Sequence, residues 1–370
     1  MTDFFVENKY DTRLSGNPVY FTLVDLEIEA CLLNGYKTSF SIEIDQKASS
    51  SVFVSLLTEN KALGIASRLF GDKVDYNKFL RTAAEEFIKD EAKNNPDNIP
   101  YSKPVRKFLT DHKNPLKLAS MCYFYSQGVK GRFEGLISSS SDLNILWDVD
   151  CQKQLFRFSA NFEKIIERSF PGLPKQMNRL RKINKRMLKL TNNGITSLVT
   201  VNNSVIKYKH NSYTQISKNR YDVTAGKSVA FSYNIKRDEA NLQKSNDSLL
   251  ANIMHSLDSA LIHEVTLNIF DKNGFTVSHL HDSLQVHPNY LQETYDELYS
   301  IYNSPLFRNL ATRIFKTPWI NSFPPDHFDD PEEDIKKILD LFNDFEKSKD
   351  ISFFSNINKL KPNEMYPLED

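Results

Sequence analysis

The chain has 370 residues, 40% of them hydrophobic and 25% charged, and its 47 basic residues balance 47 acidic ones. That is ordinary globular sequence with enough length for a large core in two or three subdomains, and the neutral total excludes binding driven by bulk charge, so any contact with nucleic acid has to come from local patches. No run of about 18 apolar residues predicts a membrane span; the acidic opening MTDFFVENKYD is unlike a signal peptide; and Cys31, Cys122 and Cys151, scattered without metal-ligand spacing, read as reduced thiols of a cytosolic protein.

In chain order, Arg13 of KYDTRLSGNPVYF enters a turn, either as a solvated loop residue or as a phosphate contact. TSFSIEID, 38–45, alternates with Phe40, Ile42 and Ile44 on one face, which predicts a half-buried strand ending in Asp45. Serines 49–51, natural helix N-caps, lead into an apolar helical stretch from Val52 to Phe70. Residues 71–112 are charged and helical in pattern, with a loop at 94–100. The next helix is expected to start near Pro115 and sets Lys117, Met121 and Tyr125 on one face, with Lys113 just before it. Two readings stand for that face: a Met/Tyr core stripe beside a solvated lysine, or a surface where Lys117 meets a triphosphate and Tyr125 a sugar or base. Gly128, Gly131 and Gly135 mark a flexible or tightly turning segment, and 136–172 carries no clear pattern.

Leu173 to Leu190 has Lys175, Arg179, Arg181, Lys182, Lys185, Arg186 and Lys189 with no acidic residue between them, and an apolar stripe of Met177, Leu180, Ile183 and Met187. A basic amphipathic helix can bind phosphates, a membrane surface or a partner groove; in a neutral chain that concentrates its positive charge here, nucleic-acid backbone is the favoured reading. From Asn192 to Arg237, ITSLVTV and SVIKYKH predict a hairpin with a polar tip. Its Lys207, Tyr208, Lys209, His210 and Asn211 either reach into a groove or belong to a solvent-exposed insertion. From Ser245 a helix buries Leu249, Ile253, Leu257 and Leu261 and carries Asn252, His255 and Ser259 on another face. FTVSHLHDSLQV, 275–286, reads as two short strands around His281-Asp282-Ser283, a tight hairpin with Asp282 at its tip. A carboxylate there suits a hard cation such as Mg2+, although turns also favour aspartate for backbone reasons. Asp45 and Asp282 together put two carboxylates on two strand ends, an arrangement that can bind two divalent ions for in-line nucleotidyl transfer. Beyond 290 come an aromatic helix to Phe307, an irregular stretch at 318–325, a solvated acidic run at 326–334 and a last Leu/Ile/Phe helix.

In order and content these segments resemble the phage and mitochondrial single-subunit DNA-dependent RNA polymerases, relatives of the family A DNA polymerases. IEIDQKASSS is similar to the first palm motif, a strand ending in Asp (Asp45) with Ser four residues on (Ser49). Lys117-x7-Tyr125 is similar to the fingers helix, with Lys113 where the family has Arg. ANIMHSLDS is similar to the helix that brings a histidine, here His255, near the sugar, and HLHDS to the second palm motif. Departures are Ser50 and Ser126 at positions where the family has Gly, and the incomplete element around Arg13, where Lys9 and Thr12 stand in place of its Asp and Gly.

The resemblance implies an α+β right-hand polymerase fold: a palm with a small antiparallel sheet, 1–70 and 255–370, and mostly helical fingers, 71–254, with a specificity hairpin near 192–237. Asp45, Asp282 and the Gln46 backbone carbonyl would hold two Mg2+ ions. Lys117, assisted by Lys113, would meet the departing phosphate; Tyr125 and His255 would recognise the ribose 2′-hydroxyl; His281 would help position the primer end; and Ser49 and Arg13 would contact substrate. Lys175, Arg179, Lys182, Arg186, Lys207 and Lys209 would touch nucleic acid. The expected partners are DNA template, RNA product and rNTPs. Only about 44 residues precede Asp45, so a thumb and N-terminal domain are expected to be absent and supplied by a second polymerase subunit, with a single-stranded-DNA-binding helper. The expected place is the cytoplasm of an infected bacterial host. Two alternatives remain: a family A-like DNA polymerase, disfavoured by Ser283 where that family carries Glu, and a non-catalytic nucleic-acid-binding subunit.

Overall fold

The computed structural model describes residues 42–44, 49–67, 69, 76–94, 100–111, 114–138, 148–190, 196–200, 203, 205–222, 227–275, 277–280, 283–287, 290–316 and 331–354. They are mostly helical with small antiparallel sheets, an α+β arrangement. The central sheet has the order β1-β7-β6, from β1 (Ile42–Ile44), β6 (Ser278–Leu280) and β7 (Ser283–Val286). β6 and β7 form the expected hairpin, but Ser283, expected at the tip, pairs with Leu280 as the first residue of β7 and is buried. It falls inside the sheet because β7 is the central strand and takes ladder partners on both edges.

β1 leads to α1 (Ser49–Thr58), whose residues 50–58 are all buried. Its Ser55 and Thr58 hydroxyls can be buried because they turn back on the helix, Ser55 donating to the Val52 carbonyl and Thr58 to the Val54 carbonyl, and α1 packs against α5 (Asn114–Phe124), α9 (Leu173–Leu190) and α11 (Leu249–Asn273). The single helix expected over 52–70 is two. Glu59 adopts a left-handed φ of 51°, and the Asn60 side chain accepts a hydrogen bond from the Leu63 N–H at 3.0 Å to cap α2 (Lys61–Ala66). A side-chain acceptor at that position restarts the helix on a new axis.

α3 (Tyr76–Asn94) and α4 (Lys103–Asp111) follow as expected. They pack with α7 (Val149–Ala160) and α8 (Phe162–Ser169), two helices in the stretch whose sequence shows no pattern. Asp148 caps α7 by accepting from the N–H groups of Cys151 and Asp150, which hold its carboxyl below the usual range. The layer is aromatic: Phe158 stands edge-on to Tyr101 at 6.0 Å and to Phe87 at 6.1 Å. Gly131 and Gly135, read as flexible, lie within α6 (Val129–Ser138). Gly135 is there for contact, since a Cβ on it would sit 2.9 Å from Cys122 Sγ and 3.3 Å from the Leu118 carbonyl of α5.

The expected 192–237 hairpin is two. β2 (Thr196–Val199) pairs with β3 (Val205–Tyr208), and a long ribbon of β4 (Asn211–Asp222) and β5 (Lys227–Ala240) follows. α10 (Leu242–Asp247) then precedes α11, so the helix expected from Ser245 starts earlier and breaks at Ser248. α11 buries Leu249, Ile253, Leu257 and Leu261 as the pattern predicts. α12 (Leu291–Asn303) packs on α11, and α13 (Pro331–Glu346) on α9.

Candidate active site

Asp45 and Gln46 follow β1 directly in sequence, and His281 and Asp282 stand between β6 and β7. All four lie outside the described residues, as do Arg13, Lys113 and the Ser49 side chain. The strands that flank them are described and paired, Ile44 opposite Leu284 and Leu280 opposite Ser283. α1, which follows β1 in the chain, packs against α5, α9 and α11, the helices that carry Lys117, the Lys175–Arg186 stripe and His255.

α5 is anchored by Leu116, Ala119, Tyr123 and Phe124, all at most 1% exposed. Ser120 fixes its middle: the Tyr76 hydroxyl donates to Ser120 Oγ at 2.8 Å, and Ser120 Oγ donates to the Lys117 carbonyl at 2.7 Å. Burial raises the Tyr76 hydroxyl pKa and keeps it a donor. The face with Lys117, Met121 and Tyr125 is half-open. Tyr125 packs against the core from this face, and the fully buried stripe of the helix runs beside it at 116, 119 and 123.

Tyr125 lies just past the end of α5. Its ring stacks on that of His255 with centroids 5.4 Å apart and planes 20° from parallel. His255 is on the exposed face of α11, with Ser259 exposed and Asn252 half-buried on the same side, as the helical spacing predicts. Thus two residues 130 positions apart, singled out for one role, are in ring contact.

The turn that aims Tyr125 was not legible in the sequence. The Gln127 N–H donates to the Cys122 carbonyl and the Ser126 N–H to the Tyr123 carbonyl, while Ser126 takes a φ of 63°. This pairing, with a left-handed residue just past the last turn, is the helix stop that glycine usually supplies. Two arginines brace it. Arg181 of α9 donates from Nε to Ser126 Oγ at 3.2 Å, and Arg132 of α6 donates to the Gln127 carbonyl at 3.1 Å while lying 5.7 Å over the Tyr123 ring. Burial lowers the Arg132 pKa. Only Ser126, at a position where glycine is favoured, hints at this turn in sequence.

α9 matches its expected range, and its apolar stripe of Met177, Leu180, Ile183 and Met187 is buried. The membrane-surface and partner-groove readings need that stripe free, so they are corrected: only the basic face is available. On it Lys175, Arg179, Lys182 and Arg186 follow at steps of four, three and four, one stripe along the helix. Lys207 lies in β3 opposite Ser197, with its side chain outside the described residues. Lys209 is tied down, its ammonium donating to the Asp238 carbonyl at 2.8 Å. Tyr208 Oη donates to the Ser245 carbonyl, and the His210 ring bonds Ser248 Oγ at 2.9 Å with its pKa lowered, mainly by burial. These bonds hold Tyr208, Lys209 and His210 at the base of the ribbon, against Ser245 of α10, Asp238 of β5 and Ser248.

A scan against models of known protein families and a search of curated proteins found no match to this chain. Among the described residues no helix is long and apolar enough to cross a membrane.

Proposed function

We propose that the chain carries the nucleotidyl-transfer centre of a DNA-templated RNA polymerase of the single-subunit type, with β1, β6 and β7 as palm sheet and α3 to α9 in the fingers. The observation that carries this reading is the stacked pair of half-buried Tyr125 and exposed His255. A tyrosine hydroxyl at the turn after α5 and an imidazole on α11 form a small polar clamp, which suits a sugar hydroxyl. A site that bonds a hydroxyl discriminates against the analogue lacking it, because its own polar groups would be left unpaired.

In the reaction the primer 3′-oxygen bonds to the α-phosphorus of the incoming rNTP, the bond to the β-phosphate breaks, and pyrophosphate leaves. Asp45, Asp282 and the Gln46 carbonyl offer oxygen donors that suit Mg2+, and the pairing of β1 with β7 supports their joint use. When bound, the ions supply charge neutralisation at the attacking and leaving oxygens. Lys117 supplies an ammonium on the half-open face of α5 to neutralise the departing phosphate. The Lys175–Arg186 stripe offers backbone contacts to template or product strand.

Primer extension on a DNA template with an RNA primer and Mg2+, with rNTPs or dNTPs and with or without co-purifying proteins, tests the reading. Extension with rNTPs, abolished in Asp282→Ala and made less selective against dNTPs by about tenfold or more in Tyr125→Phe, is the expected outcome. Selectivity unchanged in Tyr125→Phe removes the clamp role. No extension under any condition moves the reading to a non-catalytic nucleic-acid-binding subunit.

A further inference from the structure

A cavity of about 780 Å³ opens where the α1–α2 junction, the start of α9 and the segment after α13 meet. Its size is within the usual range for ligand sites. Asn60 and Gln176, 7% and 3% exposed, are held between these segments. Gln176 Nε2 donates to the carbonyls of Thr58 at 3.1 Å and Ser348 at 2.8 Å, and Asn60 Nδ2 donates to the Pro171 carbonyl and to Gln176 Oε1. Buried amides satisfied across three chain segments fix the cavity's shape before anything binds.

The charges lining it are unequally committed. Lys349 is ion-paired to Glu59 at 2.8 Å and to Glu346 at 2.9 Å. Asp350 accepts from the Ser352 N–H and hydroxyl. Lys61, Lys175, Arg179 and Lys347 also line the cavity and have no ion pair among the described residues, and Asp344 is the one lining carboxylate without a partner there. Four uncommitted cations face one uncommitted carboxylate. Such a gathering raises the local positive potential and is relieved by an anion with several charges.

We infer that this cavity binds the phosphate groups of a nucleic-acid strand or of a free polyphosphate. A strand is the better fit, because Lys175 and Arg179 begin the stripe that continues along α9 to Lys182 and Arg186. The cavity then captures a phosphate tract, and the helix face carries the rest of the backbone. The inference rests on the strand contacts proposed above for the α9 stripe, but not on catalysis, since binding needs neither Mg2+ nor synthesis.

The test uses the full chain without divalent ions. Fluorescence anisotropy reads binding of a 5′-labelled single-stranded DNA, and calorimetric titration reads binding of inorganic triphosphate, for wild type, Lys61→Ala/Lys347→Ala and the distant surface variant Lys153→Ala. The double variant changes two exposed side chains and is checked for an unchanged melting curve. Oligonucleotide binding is expected to weaken severalfold, with the slope of log affinity against log salt shallower by about 1.4, or about 0.7 per cation lost. Lys153→Ala is expected to behave as wild type. Weakened triphosphate binding with unchanged oligonucleotide binding assigns the cavity to a free polyphosphate. Unchanged binding of both ligands in the double variant, or no binding of either by wild type, overturns the inference.

Discussion

At Ser126 two demands meet. The backbone stops α5 in a left-handed conformation (φ 63°), where a Cβ is strained by roughly 1 kcal/mol, and the hydroxyl accepts from Arg181 at 3.2 Å. Glycine would relieve the first and forfeit the second, whereas alanine keeps the strain and loses the bond. Ser126→Gly is therefore expected to be close to neutral, and Ser126→Ala to cost about 1 kcal/mol. Urea unfolding of both variants checks the order, and a Gly variant less stable than the Ala variant would contradict it. The same contact joins the basic helix to the turn that sets Tyr125 against His255. A change in α9 can thus reach the Tyr125–His255 pair without touching it.

Among elements, α5 and α6 fit closely at Gly135. Alanine is a better helix former than glycine by about 1 kcal/mol, so propensity alone predicts that Gly135→Ala stabilises. Packing predicts the reverse, because the new methyl would stand 2.9 Å from Cys122 Sγ and 3.3 Å from a backbone carbonyl that cannot swing away. Overpacking costs about 1–3 kcal/mol, and a net loss of about 1 kcal/mol is expected. Gly128→Ala, with nothing within 4 Å of its Cβ position, is the control and is expected to be neutral or slightly stabilising. Equal thermal stability of the two variants would show that α5 and α6 move apart at little cost. The shift would displace the helix carrying Lys117, so the pair also tests how firmly that helix is held.

For the whole molecule, the join that matters is between the α1–α2 junction and the segment after α13. Asp350 donates its N–H to the Glu59 carbonyl, and the Lys349 ammonium, 5% exposed, lies between Glu59 and Glu346. Burial raises the Glu59 carboxyl pKa, an effect Lys349 opposes and Glu346 reinforces. A carboxyl with a raised folded-state pKa binds more protons when folded, so stability falls as pH climbs from about 4.5 through that raised value. Removing Lys349 removes the opposing charge and steepens the fall. Lys349→Met is expected to cost about 3 kcal/mol near neutral pH, with a smaller loss at pH 5 than at pH 8, as denaturant titrations at the two pH values would show. An equal loss at both would mean that Glu59 is already neutral in the folded chain.

Much of this was legible from residue order because it depends on local spacing. The range of α9, the buried stripe and polar face of α11, the strand into Asp45 and the 278–286 hairpin follow from helical and strand periods, which each segment carries within itself. Other features were settled only by tertiary contact. Leu155, Phe158, Phe162 and Ile166 become recognisable as the buried face of α7 and α8 only in the folded chain, where Phe87 and Tyr101 pack against Phe158. Gly135 reads as part of a flexible or tightly turning segment until Cys122 stands beside it. Four cations from three chain segments become one cavity only when Asn60 and Gln176 tie those segments together. Sequence determines which residues can share a face, because that depends on the period of the backbone; which faces meet depends on burial and charge summed over segments far apart in the chain, and only the folded structure decides it.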